Sequence, residues 1–139
     1  MKQMMQAVQA ETTPLVRAWL NFMTLVLVVG GAVFMFDHTA ALLVFMSAIA
    51  SLLAAIFLFR KFQNIYVLGA THIPLWGPLV GYIFITEFTG GADFSQPYAI
   101  WLVTASLVMV VSLIFDVRDL YLVLATGRGQ QPFRQADAL

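Results

Sequence analysis

Four long apolar stretches, separated by short polar segments, dominate the sequence. They cover residues 15–36, 40–59, 65–86 and 98–115. Each is close to the ~20 residues that a helix needs to cross a hydrocarbon core of ~30 Å. None alternates strictly between apolar and polar positions as a barrel strand would. The pattern predicts an all-α membrane protein, an antiparallel bundle of four transmembrane helices that forms a single domain over residues 1–139.

Capping residues support several helix boundaries. Thr13 precedes Pro14, which gives an N-cap followed by proline at the first helical position. Asn64 is a candidate cap for the third helix. The fourth helix is expected to continue beyond the membrane through residues 117–126 and to end at Gly127, because glycine favours the left-handed conformation that ends many helices.

The two ends of the chain are expected to lie outside the four spans. Residues 1–13 are expected to be interfacial or flexible, with Met1, Met4, Met5 and Val8 at helical spacing. Residues 128–139 are polar and are expected to form a flexible cytoplasmic tail.

The composition agrees with a chain solvated by lipid. Of its 139 residues, 61% are hydrophobic and 10% are charged, against about 25% charged in a typical soluble domain. A net charge of zero gives no reason to expect nucleic acid as a partner. The absence of cysteine excludes disulfide exchange and thiolate catalysis.

The basic residues fall on one side of the predicted membrane. The loops that would lie on the other side contain Asp37, His38, Glu87 and Asp93 and no Lys or Arg. The positive-inside rule then places both termini in the cytoplasm, and we expect a multi-pass protein of the cell membrane, specifically a bacterial inner membrane. The seven basic residues are Lys2, Arg17, Arg60, Lys61, Arg118, Arg128 and Arg134.

Small residues at helical spacing are candidates for close helix packing, which carries much of helix association in lipid. Ser47, Ser51 and Ala55 recur at every fourth position in the second stretch, and Gly77 and Gly81 do so in the third. These surfaces could pack the four helices together or join two copies of the protein. Packing within the chain is favoured, since short loops already hold the helices side by side.

The third stretch contains two prolines and an ionisable residue. Pro74 and Pro78 each remove a backbone donor, so this helix is expected to bend and to turn its bent face into protein. His72 lies about 10 Å along this helix by helical rise. Ionisable residues at such depth are candidates for function.

Polar residues from all four helices are expected near the level of His72, on the cytoplasmic half of the bundle. They suggest a small polar layer that could bind a substrate or cofactor. Its members are His72, Trp76, Ser112, Asp116, Asn21, Ser51 and Thr71.

Several roles for His72 compete. It could be an axial ligand of haem iron, it could hold a quinone or pass a proton together with Trp76 and Asp116, or it could line a narrow conduction path. A neutral histidine that is hydrogen-bonded to a hydroxyl or a freed carbonyl, with a purely structural role, is favoured over these. Neither a metal site nor a cofactor is predicted; a bound haem or quinone is the alternative.

A second polar group follows the fourth stretch. Asp116 and Asp119 share one helical face, whereas Arg118 points elsewhere. Ion pairs with basic residues at the membrane surface are the favoured interpretation, and a docking surface for a partner is the alternative. The candidate docking residues are Asp116, Arg118, Asp119 and Tyr121.

No familiar catalytic motif is present, and we expect no enzymatic activity. The leading hypothesis is an accessory or interaction subunit of a larger membrane assembly or a homo-oligomer, with lipid, other membrane subunits or a second copy as partners. The alternatives are a small transporter or channel for protons or a small solute that uses the layer around His72, and a haem- or quinone-binding electron-transfer subunit.

Overall fold

A computed structural model describes residues 6–8, 10, 12–62, 64–90 and 95–127. These residues are helical apart from short connections, and none of them forms a strand. Four helices are long and apolar enough to cross a membrane. We label them α1 (Pro14–Phe34), α2 (Thr39–Phe62), α3 (Ile65–Phe88) and α4 (Pro97–Thr126).

The predicted caps are confirmed. The Thr13 side chain accepts a hydrogen bond from the Val16 backbone N–H at 3.3 Å, and the Asn64 side chain accepts one from the Tyr66 N–H at 2.9 Å. The fourth helix ends where expected, because Gly127 adopts φ = 66° and closes the helix in the left-handed conformation.

Two of the helices are not regular α-helices. Six residues of α1, Leu25–Gly30, form a π-helical turn. In α3 a 3₁₀ segment, Ile65–Thr71, precedes an α-helical segment, His72–Ile83, and a π-helical turn, Phe84–Phe88, follows it. The junction at His72 therefore marks a change in helical geometry.

Each helix packs against two others. α2 contacts α1 and α3, and α4 contacts α3 and α1. Their shared core is apolar and combines large side chains with alanines. The fully buried members include Leu27, Ala40, Val44, Trp76, Ile83, Leu102, Ala105 and Met109.

The small-residue surface of α2 packs inside the chain as expected. Ser51 and Ala55 are buried, and Ser47 is half-buried. In α1, a Cβ on Gly31 would lie 3.1 Å from the Cβ of Phe45, so the absence of a side chain at Gly31 lets α1 and α2 approach.

The expectation for α3 was wrong in two respects. Gly77 and Gly81 do not pack inside the chain, because a Cβ on either would meet no atom within 4 Å. Pro74 and Pro78 lie on the same exposed surface rather than facing protein. Local 3₁₀ and π geometry can re-satisfy backbone groups freed by proline within a helix, so these prolines need no protein neighbour.

The predictions for the chain termini fall mostly on residues that lie outside the described part. Within residues 6–8, which are helical, Ala7 is fully buried and packs with Phe59 near the end of α2.

Candidate functional site

A histidine and an aspartate meet where α3 contacts α4. The Nδ1 atom of His72 lies 2.7 Å from Oδ2 of Asp116. Both side chains are largely buried, with 16% of the histidine and 14% of the aspartate exposed. This distance is typical of a charge-assisted hydrogen bond. An ionised carboxylate only accepts, so in that state its partner would be an imidazole N–H at Nδ1.

The surface of α3 is shaped to receive this carboxylate. Gly69 lies one turn before His72, and a Cβ on Gly69 would overlap the carboxylate of Asp116. Trp76 lies one turn after His72 and stacks on its imidazole, with ring centroids 3.9 Å apart and an interplanar angle of 10°. The imidazole is therefore held between a carboxylate on its edge and an indole on its face.

Two further predicted residues border the pair. Thr71 is buried, and its hydroxyl donates to the Leu68 carbonyl at 2.9 Å and approaches the Ser51 carbonyl at 3.5 Å. This contact joins α2 to the start of the α-helical segment of α3. Oγ of Ser51 and Nε1 of Trp76 are buried polar atoms that have no hydrogen-bond partner among the described residues.

The other two members of the predicted layer lie elsewhere. Ser112 is buried on α4 one turn before Asp116, and its hydroxyl lies 3.4 Å from the sulfur of Met23 on α1. Asn21 is exposed on the surface of α1. The structure thus brings together His72, Trp76, Asp116, Thr71 and Ser51, with Ser112 beside them and Asn21 apart.

The predicted docking residues do not form one group. Asp116 lies on α4 against His72, at 2.7 Å from its Nδ1 atom. Arg118 lies 3.9 Å from Asp119, with 65% and 36% of their side chains exposed, and Tyr121 is exposed. An ion pair this exposed contributes little to stability.

The two ends of the helix bundle differ in charge. We call the end with Arg17, Arg60, Lys61 and Arg118 the basic end, and the end with Asp37 and Glu87 the acidic end. His72 and Asp116 lie toward the basic end. At the acidic end, His38 stacks on Tyr98 with ring centroids 3.5 Å apart and an interplanar angle of 4°.

Apolar side chains separate the His72–Asp116 pair from the acidic end. The core residues Leu79, Ile83, Leu102 and Ala105 pack together with Leu27 and Val44 in this region. These apolar side chains lie between the His72–Asp116 pair and the acidic end of the bundle. Among the described residues, no group of three or more His, Asp or Glu could hold a metal ion.

Sequence reasoning did not single out Gly69 as part of the site. The spacing of Gly69 from His72 and Trp76 places all three residues on one helical surface. This spacing is the sequence feature that could have identified Gly69 as part of the site. The sequence of α4 carries no comparable signal, because the level at which Asp116 meets α3 depends on how the two helices are aligned along their lengths.

The fold and the site define an all-helical protein with four helices that could cross a membrane and a half-buried histidine–carboxylate pair between two of them. No family model matches the chain, and comparison with curated proteins and with solved structures finds no match.

Proposed function

We propose that the protein spans a membrane as two antiparallel helical hairpins and works there as a non-enzymatic accessory or interaction subunit, in a homo-oligomer or a larger membrane assembly. The observation that carries this proposal is the outer surface of α3. Gly77 and Gly81 are exposed one turn apart, and the space above both is open. Paired small residues of this kind let two helices approach closely in lipid.

An exposed amide on α1 also supports an assembly. Asn21 lies seven residues after Pro14, about 10 Å along the helix by helical rise, and is exposed. In hydrocarbon a polar side chain gains by hydrogen bonding to a neighbouring helix, by about 0.6–2 kcal/mol. A partner helix at this surface would supply such a bond.

The proposed orientation follows from the charge difference between the two ends. The positive-inside rule favours the basic end in the cytoplasm, together with both termini. A bacterial inner membrane is the proposed location.

Extraction in mild detergent tests the assembly. We expect a protein mass well above 15.4 kDa, and we expect Gly77→Leu or Gly81→Leu to reduce it, because leucine fills the space that a partner helix would occupy. Ala50→Leu is the matched control, since Ala50 is also small and exposed but lies on α2. A strictly monomeric protein in several mild detergents would contradict the proposal.

A second candidate is a small transporter or channel for protons or a small solute. The specific observation in its favour is the largely buried His72–Asp116 pair, because ionisable groups inside spanning segments mark ion and proton paths in many membrane proteins. The apolar core between the pair and the acidic end requires that conduction involve a movement of the helices.

Reconstitution into liposomes tests this candidate. We expect flux that His72→Ala abolishes and that His38→Ala preserves, because His38 lies at the acidic end outside the pair. Flux equal to that of empty liposomes over a panel of ions would exclude it. Haem ligation by His72 is the remaining alternative, and the absorbance of the purified protein tests it.

A further inference from the structure

The hydrogen bond between Asp116 and His72 determines which nitrogen of the imidazole remains available. An ionised carboxylate cannot donate, so it holds the imidazole proton on Nδ1. In a neutral ring the other nitrogen, Nε2, then carries a lone pair and is an acceptor. In histidines that act as bases or metal ligands, the hydrogen-bond partner of one ring nitrogen likewise determines whether the other nitrogen carries a proton.

The imidazole is also restrained in orientation. Trp76 covers one face of the ring at a centroid distance of 3.9 Å, and Gly69 admits the carboxylate close to α3. Rotation of the ring would break the 2.7 Å hydrogen bond to Asp116. The direction of Nε2 is therefore fixed by the fold.

Two buried donors near this part of α3 lack partners among the described residues. One is Nε1 of Trp76, whose ring stacks on the imidazole, and the other is Oγ of Ser51, whose carbonyl lies 3.5 Å from the hydroxyl of Thr71, the residue before His72. Trp76 is 1% exposed and Ser51 is 2% exposed. A buried polar group without a hydrogen bond costs about 1–3 kcal/mol, and buried side chains of this kind are usually paired. A ligand oxygen that accepts from these donors and donates its own proton to Nε2 would satisfy all three groups.

We propose that Asp116 holds the proton of neutral His72 on Nδ1, so that Nε2 accepts a hydrogen bond from the O–H group of a bound ligand, whose oxygen is a partner for Ser51 and Trp76. Two sources supply this chemistry: water that enters from the basic end, and a quinol that enters from the lipid. The inference does not depend on whether the protein forms an assembly.

Nitrogen NMR of the full chain labelled with ¹⁵N-histidine tests the first half of the proposal. The chain has two histidines, so His38→Gln leaves His72 as the only signal. At about pH 8, above the ordinary range of histidine, we expect the proton on Nδ1 and none on Nε2. Gly69→Ala should weaken this preference by displacing the carboxylate, whereas Ala50→Leu, at an exposed position on α2, should leave it unchanged. A proton on Nε2 in the unaltered site would overturn the proposal.

The same signal distinguishes the two sources of the O–H group. Magnetisation transfer from water to the His72 ring identifies water, and a saturable shift of Nε2 on addition of a short-chain benzoquinol identifies the quinol. For the quinol, Ser51→Ala or Trp76→Phe should weaken binding about five-fold, as expected for one neutral hydrogen bond. Ser47→Ala is the control, because the Ser47 hydroxyl already bonds the Val44 carbonyl at 2.9 Å. A ring that responds to neither water nor quinol would overturn the proposal.

Discussion

Gly69 holds a position at which any side chain would disturb the contact between α3 and α4. A Cβ there would overlap the Asp116 carboxylate, so that either the carboxylate or the helix must move. Displacing the carboxylate would also remove the hydrogen-bond partner of a largely buried imidazole. One missing methyl group therefore allows the ionisable pair to form between the two helices.

Gly69→Ala should destabilise the protein. Overpacking of this kind costs typically 1–3 kcal/mol, against a gain of up to about 1 kcal/mol from the higher helix propensity of alanine. Titration with a denaturing detergent in mixed micelles would measure the change in the free energy of unfolding. Ala50→Leu is the control, and it should be close to neutral because Ala50 is small and exposed on α2. Equal effects of the two substitutions would show that Gly69 does not accommodate the carboxylate.

How far the sequence predicts the site depends on which contacts are local. The stacking of His72 and Trp76 follows from their spacing within one helix and could be foreseen. The hydrogen-bond partner of His72 could not be foreseen. A hydroxyl, a freed carbonyl and a carboxylate were all expected at a similar depth along the bundle. Only the alignment of α4 along α3 brings Asp116, rather than Ser112, against the imidazole.

At the scale of the helices, α1 and α4 are joined through a backbone carbonyl. The indole N–H of Trp101 donates to the carbonyl oxygen of Val26 at 2.9 Å, within the π-helical turn of α1. The wider turn changes which carbonyls find donors inside the helix, and an indole from α4 bonds one of them. Gly30 gives the indole room, because a Cβ on Gly30 would overlap it.

Trp101→Phe should lower the free energy of unfolding by at least about 1 kcal/mol, the usual net contribution of one neutral hydrogen bond, because the donor and part of the packed ring are both lost. Gly30→Ala should have a larger effect, since the added methyl group displaces the whole indole. The same detergent titration measures both. Ala50→Leu serves as the control at an exposed small residue on α2. A Gly30→Ala variant as stable as this control would contradict the proposed close approach of α1 and α4.

Hydropathy and capping residues predict where the four helices lie, but not their internal irregularities. Helices α2 and α3 begin and end within a few residues of the predicted apolar stretches. A long apolar run between short polar links restricts where a helix can start and stop. The π-helical turns have no comparable signal in the sequence, because they depend on side chains from other helices. The prolines were wrongly predicted to face protein, because a freed carbonyl can also find a donor within its own helix.

At the scale of the whole molecule, the outer surface supports a lipid environment. Large apolar side chains are exposed on every helix, whereas soluble monomers rarely expose large contiguous apolar patches. Examples are Leu15 at 80%, Phe57 at 67%, Ile85 at 68% and Leu107 at 60% exposed. The charged residues instead collect at the two ends, so a membrane would solvate the apolar surface and water would solvate the ends.

Thiol labelling can establish the proposed threading directly, because the natural chain contains no cysteine. Asp37→Cys places a label at the acidic end, and Lys61→Cys and Thr126→Cys place labels at the basic end, all at exposed positions. A membrane-impermeant thiol reagent added to intact cells or spheroplasts should modify only Asp37→Cys. The other two should react only after the membrane is opened, since translocating a basic loop is disfavoured.

Labelling of Lys61→Cys from outside, with Thr126→Cys protected, would mean that the two labels lie on opposite sides. The chain between them would then cross the membrane an odd number of times, and α3 and α4 could not form the proposed hairpin.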